Sequence, residues 1–264
     1  MMTAQGRLDG RVAIVTGASR GLGIGIARRL AEVGATVVFT ARDAAAAQAA
    51  AATVAGETGA RTFGFAHDVA SFASSERLVE AVLVAAGRID VLVNNAGISS
   101  TVPFLDMTED DWDRVHDVNL KGVFLTTRAV APVMVEQRSG RIVNISSMVG
   151  KEAEPEILHY SSSKAGVISL TQGLARELAP YDLNVNAVCP GIVRTPMWEP
   201  KLDTMAALHG IDRDEVFAGY VARIPLGRPQ DSEDIGAMVA FLASDLARNI
   251  TGQSINVCGG VQVH

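Results

Sequence analysis

The chain has 264 residues, of which 48% are hydrophobic and 20% are charged, which is typical of a folded globular protein with one core. Its net charge of −6 argues against nucleic acid or an anionic membrane as the main partner, because both favour basic surfaces. Two cysteines, Cys189 and Cys258, are too few for a disulfide framework or a four-cysteine zinc site. The five histidines show no metal-binding spacing, so we expect no metal.

The predicted elements alternate between apolar, β-branched runs and helical patterns. In chain order they are a strand at 12–16, a helix at 24–33, a strand at 36–40, a helix at 43–54, a strand at 62–66, a helix at 74–86, a strand at 91–94, a helical stretch with room for a break at 110–135, a strand at 141–146, a helix at 160–178, and strands at 183–188 and 254–257. Residues 43–54 are assigned to a helix because they are rich in alanine and contain neither glycine nor proline.

This alternation predicts an α/β fold, a Rossmann-type doubly wound parallel sheet of about seven strands with helices on both faces. Ligands of such sheets bind at the carboxyl ends of the strands. No linker divides the chain, so we expect a single domain over 1–264. Residues 195–228 interrupt the alternation, and we interpret them as a substrate lid.

The N-terminal sequence and the length of the apolar runs indicate where in the cell the protein is located. The first apolar run is short and is followed at once by glycine, so we expect no signal peptide. Nowhere do 18 apolar residues follow one another, so the sequence predicts no membrane span. We therefore expect a cytoplasmic protein.

A glycine-rich turn follows the first predicted strand. Gly17, Gly21 and Gly23 have the spacing G-x-x-x-G-x-G, and a helical pattern follows them directly. Glycine lets a pyrophosphate approach the backbone, and the amide groups of the helix start can bind the phosphates. The motif therefore predicts a dinucleotide site, which would also include Ser19, Arg20 and Leu22.

The end of the second strand bears on which dinucleotide binds. NAD-binding folds often place an acidic residue there, whereas this chain has Ala41 followed by Arg42. Arg42 and Arg20 could pair with a 2′-phosphate, so we favour NADP(H) over NAD(H). Asp43 stays open as an alternative ligand of the ribose hydroxyls.

Several further motifs follow in order. They are Asp68-Val69, 94–97 (NNAG), Asn119, Ser147, 160–164 (YSSSK) and Pro190-Gly191. With the glycine turn, this set resembles the short-chain dehydrogenase/reductase family from about residue 8 to residue 257. The resemblance implies an enzyme that transfers a hydride between a nicotinamide and a ketone or secondary alcohol.

The predicted catalytic group centres on Tyr160. Lys164 lies one helical turn later, and a nearby ammonium should lower the pKa of the phenol towards the working pH. By resemblance, Lys164 also holds the nicotinamide ribose, Ser147 binds the substrate oxygen, and Asn119 supports a proton relay. Ser146 competes with Ser147, which we prefer because it lies thirteen residues before Tyr160 and begins the loop.

The resemblance also implies cofactor contacts beyond the glycine turn and Ala41-Arg42. Asp68 and Val69 should lie near the adenine, and 95–97 beside the adenosine. Pro190 and the residues after it should meet the nicotinamide. These further expected contacts are Asp68, Val69, Asn95, Ala96, Gly97, Tyr160, Lys164, Pro190, Gly191, Ile192, Val193 and Thr195.

The substrate is less well indicated. The segments 187–191, 222–228 and 256–260 resemble 3-oxoacyl reductases and the ketoreductases of aromatic polyketide pathways, which we favour, so the substrate could be bound to an acyl carrier. Residues 191–198 also resemble acetoin and polyol dehydrogenases. The pocket should be lined by 99–104, 149–159 and 197–224. A catalytically silent dinucleotide-binding protein is a remote alternative, because the Ser–Tyr–Lys set is intact.

The family commonly forms tetramers through two long helices and a C-terminal edge. In this chain those surfaces would be 110–135, 160–178 and the segment that ends at residue 263. The resemblance therefore implies a homotetramer.

Overall fold

The computed structural model describes residues 6–264 and contains one seven-stranded parallel sheet in the order β3-β2-β1-β4-β5-β6-β7. The strands are β1 Val12–Val15, β2 Thr36–Ala41, β3 Thr62–Ala66, β4 Val91–Asn94, β5 Gly140–Ile145, β6 Leu183–Pro190 and β7 Ser254–Val257. The helices are α1 Gly21–Glu32, α2 Ala44–Thr58, α3 Phe72–Ala86, α4 Glu109–His116, α5 Gly122–Gln137, α6 Leu158–Leu178, α7 Trp198–His209, α8 Arg213–Ala222 and α9 Ser232–Ala243. The predicted doubly wound α/β fold is confirmed.

The central strands are buried on both faces, which explains their nearly continuous apolar sequences. Alternate residues of β1 contribute to two separate cores. Ala13 and Val15 belong to the core that includes Ile26 and Leu30 of α1, whereas Val12 and Ile14 face the other core, with Val130 of α5. Helices therefore cover both faces, and the sheet order reverses between β1 and β4, where the carboxyl ends leave a crevice.

The helix boundaries have local chemical causes. Asp43 accepts a hydrogen bond from the backbone amide of Ala45 and so caps α2, which ends at Gly59 in the left-handed conformation. Ser71 caps α3 in the same way, and Gly87 ends it. The Thr108–Asp111 pair forms a capping box at the start of α4.

Most predicted elements occur with shifted ends. The helix predicted at 24–33 begins three residues earlier, at Gly21, because the glycine turn itself opens it. The helix predicted at 43–54 continues to Thr58. The break foreseen within 110–135 is a π-helical turn at Asp117–Lys121, which separates α4 from α5. Residues 195–228, predicted only as an insertion, contain α7 and α8.

One helical run in the described residues, 109–137, has the length and mean hydropathy (1.2) that a membrane span would need. One side of its second part lies in the core, where Val123, Val130 and Met134 are almost completely buried, although only 39% of the apolar window is buried. Helices of a protein core commonly meet the same criterion, so the run is weak evidence for a membrane.

Candidate active site

The glycine turn lies at the carboxyl end of β1 and leaves no room for a Cβ at Gly17 or Gly23. Gly17 and Gly21 have φ angles of 64° and 58°, which disfavour other residues. A Cβ on Gly23 would lie 2.6 Å from the Asn95 side-chain nitrogen and closer still to the Gly17 carbonyl oxygen. One on Gly21 would point towards Thr195, at 3.6 Å. The turn thus faces the start of 195–228 across a narrow gap.

Asn95 and Thr16 hold this turn in place. Asn95 Nδ2 donates to the carbonyl oxygens of Thr16 and Gly17, at 2.8 and 3.2 Å. Thr16 Oγ1 accepts hydrogen bonds from the amides of Asn95 and Ala96, at 2.9 and 3.0 Å. The segment 95–97 therefore shapes the turn directly, and a Cβ on Gly17 would collide with the Ala96 backbone.

The two candidate phosphate-binding arginines are exposed. Arg20 occupies the N-cap position of α1 and makes no side-chain cap there, while Arg42 follows β2. Within residues 6–264 neither guanidinium takes part in an ion pair. By contrast, the Asp43 carboxylate is engaged with the Ala45 amide at 2.9 Å. The capping role of Asp43 disfavours the alternative in which it binds ribose.

The end of β3 carries Asp68 and Val69. Asp68 is exposed, and its carboxylate accepts from the amide of Ala70 at 3.1 Å. Val69 is buried against Gly122 at the start of α5. His67, just before them, is buried between Thr40 and Ser75, and burial lowers its pKa to about 4. This histidine links the ends of β2 and β3 beside the glycine turn.

The loop after β6 is held by a residue that sequence reasoning missed. Gln230 Oε1 accepts from the amide of Ile192 at 2.9 Å, and the amide of Gln230 donates to the carbonyl of Ile192 at 3.0 Å. A Cβ on Gly191 would meet Gln230 at 2.6 Å. Pro190 and Val193 are buried, and Thr195 accepts a hydrogen bond from the amide of Trp198. No motif marks Gln230, which lies 38 residues from Ile192.

The four predicted catalytic residues meet at the carboxyl edge beside Gly97. Lys164 is buried, and its Nζ lies 5.6 Å from the centroid of the Tyr160 ring. Asn119, in the π-helical turn, is also buried. Gly97 brings them together, because a Cβ on it would lie 3.3 Å from Asn119 Oδ1 and 3.5 Å from Lys164 Nζ. Ser147, at the end of β5, is near enough to Tyr160 to hydrogen-bond the phenol.

The two serines differ in their partners. Ser146 Oγ donates to the carbonyl oxygen of Lys164 at 2.8 Å, so its hydroxyl is engaged on the helix. Ser147 Oγ accepts from the amide of Val149 at 3.3 Å, which leaves its proton available for another acceptor. This arrangement favours Ser147 over Ser146 as the group that binds a substrate oxygen.

The expected lowering of the Tyr160 pKa is wrong for the protein alone. Burial raises the pKa of Tyr160 to about 12, with the Ser147 hydrogen bond as a smaller opposing influence. Burial likewise lowers the pKa of Lys164 to about 8. Lys164 Nζ donates to the carbonyl oxygen of Ile145 at 2.8 Å, so its charge is directed at the strand end.

The family model described as enoyl-(acyl carrier protein) reductase matches residues 17–262, nearly the whole chain. The chain belongs to the short-chain dehydrogenase/reductase family. It is 41% identical to the 3-oxoacyl-[acyl-carrier-protein] reductase FabG of Aquifex aeolicus, over 97% of this chain and 98% of that protein. It is 42% identical to a ketoacyl reductase assigned to the monensin polyketide synthase of Streptomyces virginiae, over 95% of this chain and 97% of the relative.

Solved structures of the family agree. A short-chain type dehydrogenase/reductase from Mycobacterium marinum superposes with a TM-score of 0.89 at 35% identity, covering 98% of each chain. An NAD+-bound xylitol dehydrogenase gives 0.91 at 34% identity, covering 96% of this chain and 99% of the other. The chain is an oxidoreductase of this short-chain family, and its glycine turn and 95–97 segment fit a dinucleotide.

A cleft of about 420 Å³ opens next to this short-chain dehydrogenase site. Two of the three segments predicted to line a pocket contribute, 149–159 and 197–224, whereas 99–104 does not, and Phe104 is largely exposed. The C-terminal Val261 and Gln262 were missed, because nothing in the sequence shows that the chain end returns to this site. The lining residues are Met148, Val149, Glu152, Ala153, Glu154, Pro155, Glu156, Met205, His209, Tyr220, Arg223, Val261 and Gln262.

Proposed function

We propose that this protein is an NADP(H)-dependent ketone reductase that acts on a 3-oxoacyl or polyketide-like ketone. The observation that carries the proposal is the group Ser147, Tyr160 and Lys164, gathered at the carboxyl edge beside Gly97 and the glycine turn. Relatives over 40% identical across almost the full chain, named 3-oxoacyl and ketoacyl reductases, support the choice of substrate class.

The catalytic roles follow from the protonation states. Tyr160 is protonated at neutral pH, since its pKa is raised to about 12, and a neutral phenol is the proton donor that carbonyl reduction needs. Ser147 would donate a second hydrogen bond to the substrate oxygen and stabilise the charge that develops there. A reduced nicotinamide, when bound, supplies the hydride.

Lys164 and Asn119 would restore the proton. Lys164 is buried near Tyr160, and its pKa of about 8 allows it to give up and regain a proton near neutral pH. Asn119 Nδ2 donates to the carbonyl of Ile98 and to Ser163 Oγ, and Ser163 Oγ donates to the carbonyl of Tyr160. Asn119 thus orders the backbone around the acid, and its part in a proton relay stays a prediction.

The preference for NADP(H) rests on charge. Arg42 and Arg20 are exposed beside the glycine turn, and Ala41 offers no carboxylate to repel a 2′-phosphate. The xylitol dehydrogenase that resembles this chain was solved with NAD+, so the ratio of the affinities for NADPH and NADH tests the preference.

We also propose that the protein is a cytoplasmic homotetramer and that its ketone substrate can be bound to an acyl carrier. In addition, we propose that residues 195–228 close over the substrate. Trp198 packs edge-on against Phe217 and Tyr220, which joins α7 to α8 into one unit able to move together. The single domain over 1–264 is supported by the one continuous sheet.

A polyol or acetoin-type alcohol dehydrogenase is the second candidate. The likeness to xylitol dehydrogenase favours it, and so does the polar lining of the cleft at Glu152, Glu156 and Gln262. The two candidates share the catalytic group and differ in substrate and cofactor.

The test is a steady-state assay that follows the absorbance of reduced nicotinamide. The purified chain is mixed with NADPH or NADH and with 3-oxoacyl thioesters, diketones or keto-sugars. We expect reduction of 3-oxoacyl thioesters with NADPH. Preferred turnover of polyols with NAD+ would support the second candidate, and no turnover with any member would favour a dinucleotide-binding protein without catalysis.

A further inference from the structure

The cleft beside the catalytic group has two chemically different walls. Met148 and Val149, which follow Ser147 directly, and Met205 and Val261 give it an apolar lining. Three alternating glutamates, Glu152, Glu154 and Glu156, give another part of the lining an acidic character. A substrate carbonyl held at Ser147 would therefore have its remaining chain next to both walls.

The cations near this acidic wall are all engaged: Arg223 and His209 lie beside glutamates, and Lys201 lies against two rings and is attracted by Glu154 and Glu156. Arg223 lies 2.6 Å from Glu154, and His209 lies 3.8 Å from Glu156. Lys201 Nζ lies 4.5 Å from the ring centroids of both Trp198 and Tyr220, and it does not line the cleft. The lining therefore carries more negative than positive charge.

Gln262 marks where on this wall a ligand would be bound. Its side chain is only 9% exposed, and its Nε2 donates to Glu152 Oε2 at 2.5 Å. The amide orientation follows from that contact, because two oxygens would repel each other at this distance. Its Oε1 is buried and has no hydrogen-bond partner among residues 6–264. A buried acceptor without a partner is unfavourable, so it points to a donor that the protein does not supply.

We propose that Gln262 and Glu152 determine substrate specificity by accepting hydrogen bonds from a hydroxyl group on the substrate, at the end of the molecule away from the carbonyl. Both side chains line the cleft and carry acceptor oxygens, so they match a hydroxyl and mismatch a methyl group or a carboxylate. The inference rests on the proposed ketone reduction and narrows it to hydroxylated ketones, free or within a longer polyketide-like chain.

The test compares three series of ketones with NADPH. Each series has one to six carbons between the carbonyl and a terminal group, which is a hydroxyl, a methyl or a carboxylate. At the best chain length we expect kcat/KM for the hydroxy ketone to exceed that for the methyl ketone by about tenfold, as one buried hydrogen bond allows. The carboxylates should be the poorest substrates because of the glutamates.

Two variants test whether Gln262 and Glu152 cause the preference for hydroxy ketones. Gln262→Leu should reduce the hydroxyl preference to about twofold or less while kcat/KM for the methyl ketone changes little. Glu152→Gln keeps the size of the side chain and should improve the carboxylate series through a lower KM. Gln48→Leu, at an exposed position on α2, is the matched control and should change no ratio.

Binding is measured separately, as the rise in Tm that hydroxy and methyl ketones cause in the presence of NADP+. A larger rise with hydroxy ketones that Gln262→Leu abolishes supports the inference, even in a protein that reduces none of the ketones. Equal kcat/KM and equal Tm shifts for the hydroxyl and methyl series at every length would overturn it. If the protein reduces hydroxy and methyl ketones equally well, the proposed ketone reductase activity is supported and only the proposed hydroxyl specificity is wrong. If Gln262→Leu does not fold, the Glu152→Gln comparison decides.

Discussion

Lys164 Nζ lies 5.6 Å from the Tyr160 ring centroid, yet it donates its hydrogen bond to the carbonyl oxygen of Ile145. In the protein alone the lysine therefore stabilises the end of β5 more than a phenolate. Burial moves both pKa values, to about 12 for Tyr160 and about 8 for Lys164, so at neutral pH the phenol is protonated and the lysine is mostly charged. Such a pair is suited to donating a proton near neutral pH.

Tyr160→Phe should lower kcat by about 10²–10⁴-fold, the usual contribution of a general acid. The ring and its packing are kept, so the Kd for NADPH should change little. Steady-state kinetics and a fluorescence titration of NADPH measure the two quantities. Tyr181→Phe, at a partly exposed position after α6, should behave as wild type. A Tyr160→Phe variant with near-normal kcat would disprove the acid role.

Arg42→Asp should weaken NADPH binding by about 100-fold, because it replaces a cation that can pair with the 2′-phosphate by a repelling carboxylate. NADH binding should be unchanged or improved. Kd values for both cofactors give the ratio directly. Arg77→Asp, on the exposed side of α3, makes the same charge change as a control. Equal loss of both cofactors would contradict the NADP(H) preference.

Gly23→Ala should abolish cofactor binding, because its Cβ would lie 2.6 Å from Asn95 Nδ2 and still closer to the Gly17 carbonyl oxygen. Gly56→Ala is the matched control, since nothing lies within 4 Å of the added Cβ in α2. Alanine should raise the free energy of unfolding there by about 0.5–1 kcal/mol. Calorimetry and NADPH titration of both variants check the contrast, which a normal Kd for Gly23→Ala would refute.

His67 should make the fold sensitive to mild acid. Burial lowers its pKa from 6.5 to about 4, so the unfolded chain binds the proton more tightly than the native one. Its contribution to stability is complete above pH 6.5 and is lost as the pH falls towards 4, up to about 3 kcal/mol. Urea unfolding across this range should show a steeper loss for wild type than for His67→Asn. His264→Asn, at an exposed position, should follow wild type, and parallel curves for all three proteins would exclude the effect.

The sequence predicts the sheet and the catalytic group because both depend on local spacing. Apolar runs mark β1 and β4, and the four-residue interval puts Tyr160 and Lys164 on one helix face. It could not predict the partner of Lys164, because burial and the position of Ile145 depend on the packing of α6 against β5. The roles of Gln230 and Gln262 were not predicted for the same reason, because their contacts are with residues 38 and 110 positions away in the sequence.

The hydrogen bonds that join Thr16 to Asn95 and Ala96 close a chain segment of about 80 residues. The glycine turn thus reaches its final shape only after β4 has docked beside β1. In the sequence, β2, β3 and their helices lie between these two strands. Closing so long a segment is slow compared with forming a helix. A chain in which β1 and β4 have not yet paired would consequently be unable to capture coenzyme, and coenzyme would slow degradation by selectively retaining molecules in which they have.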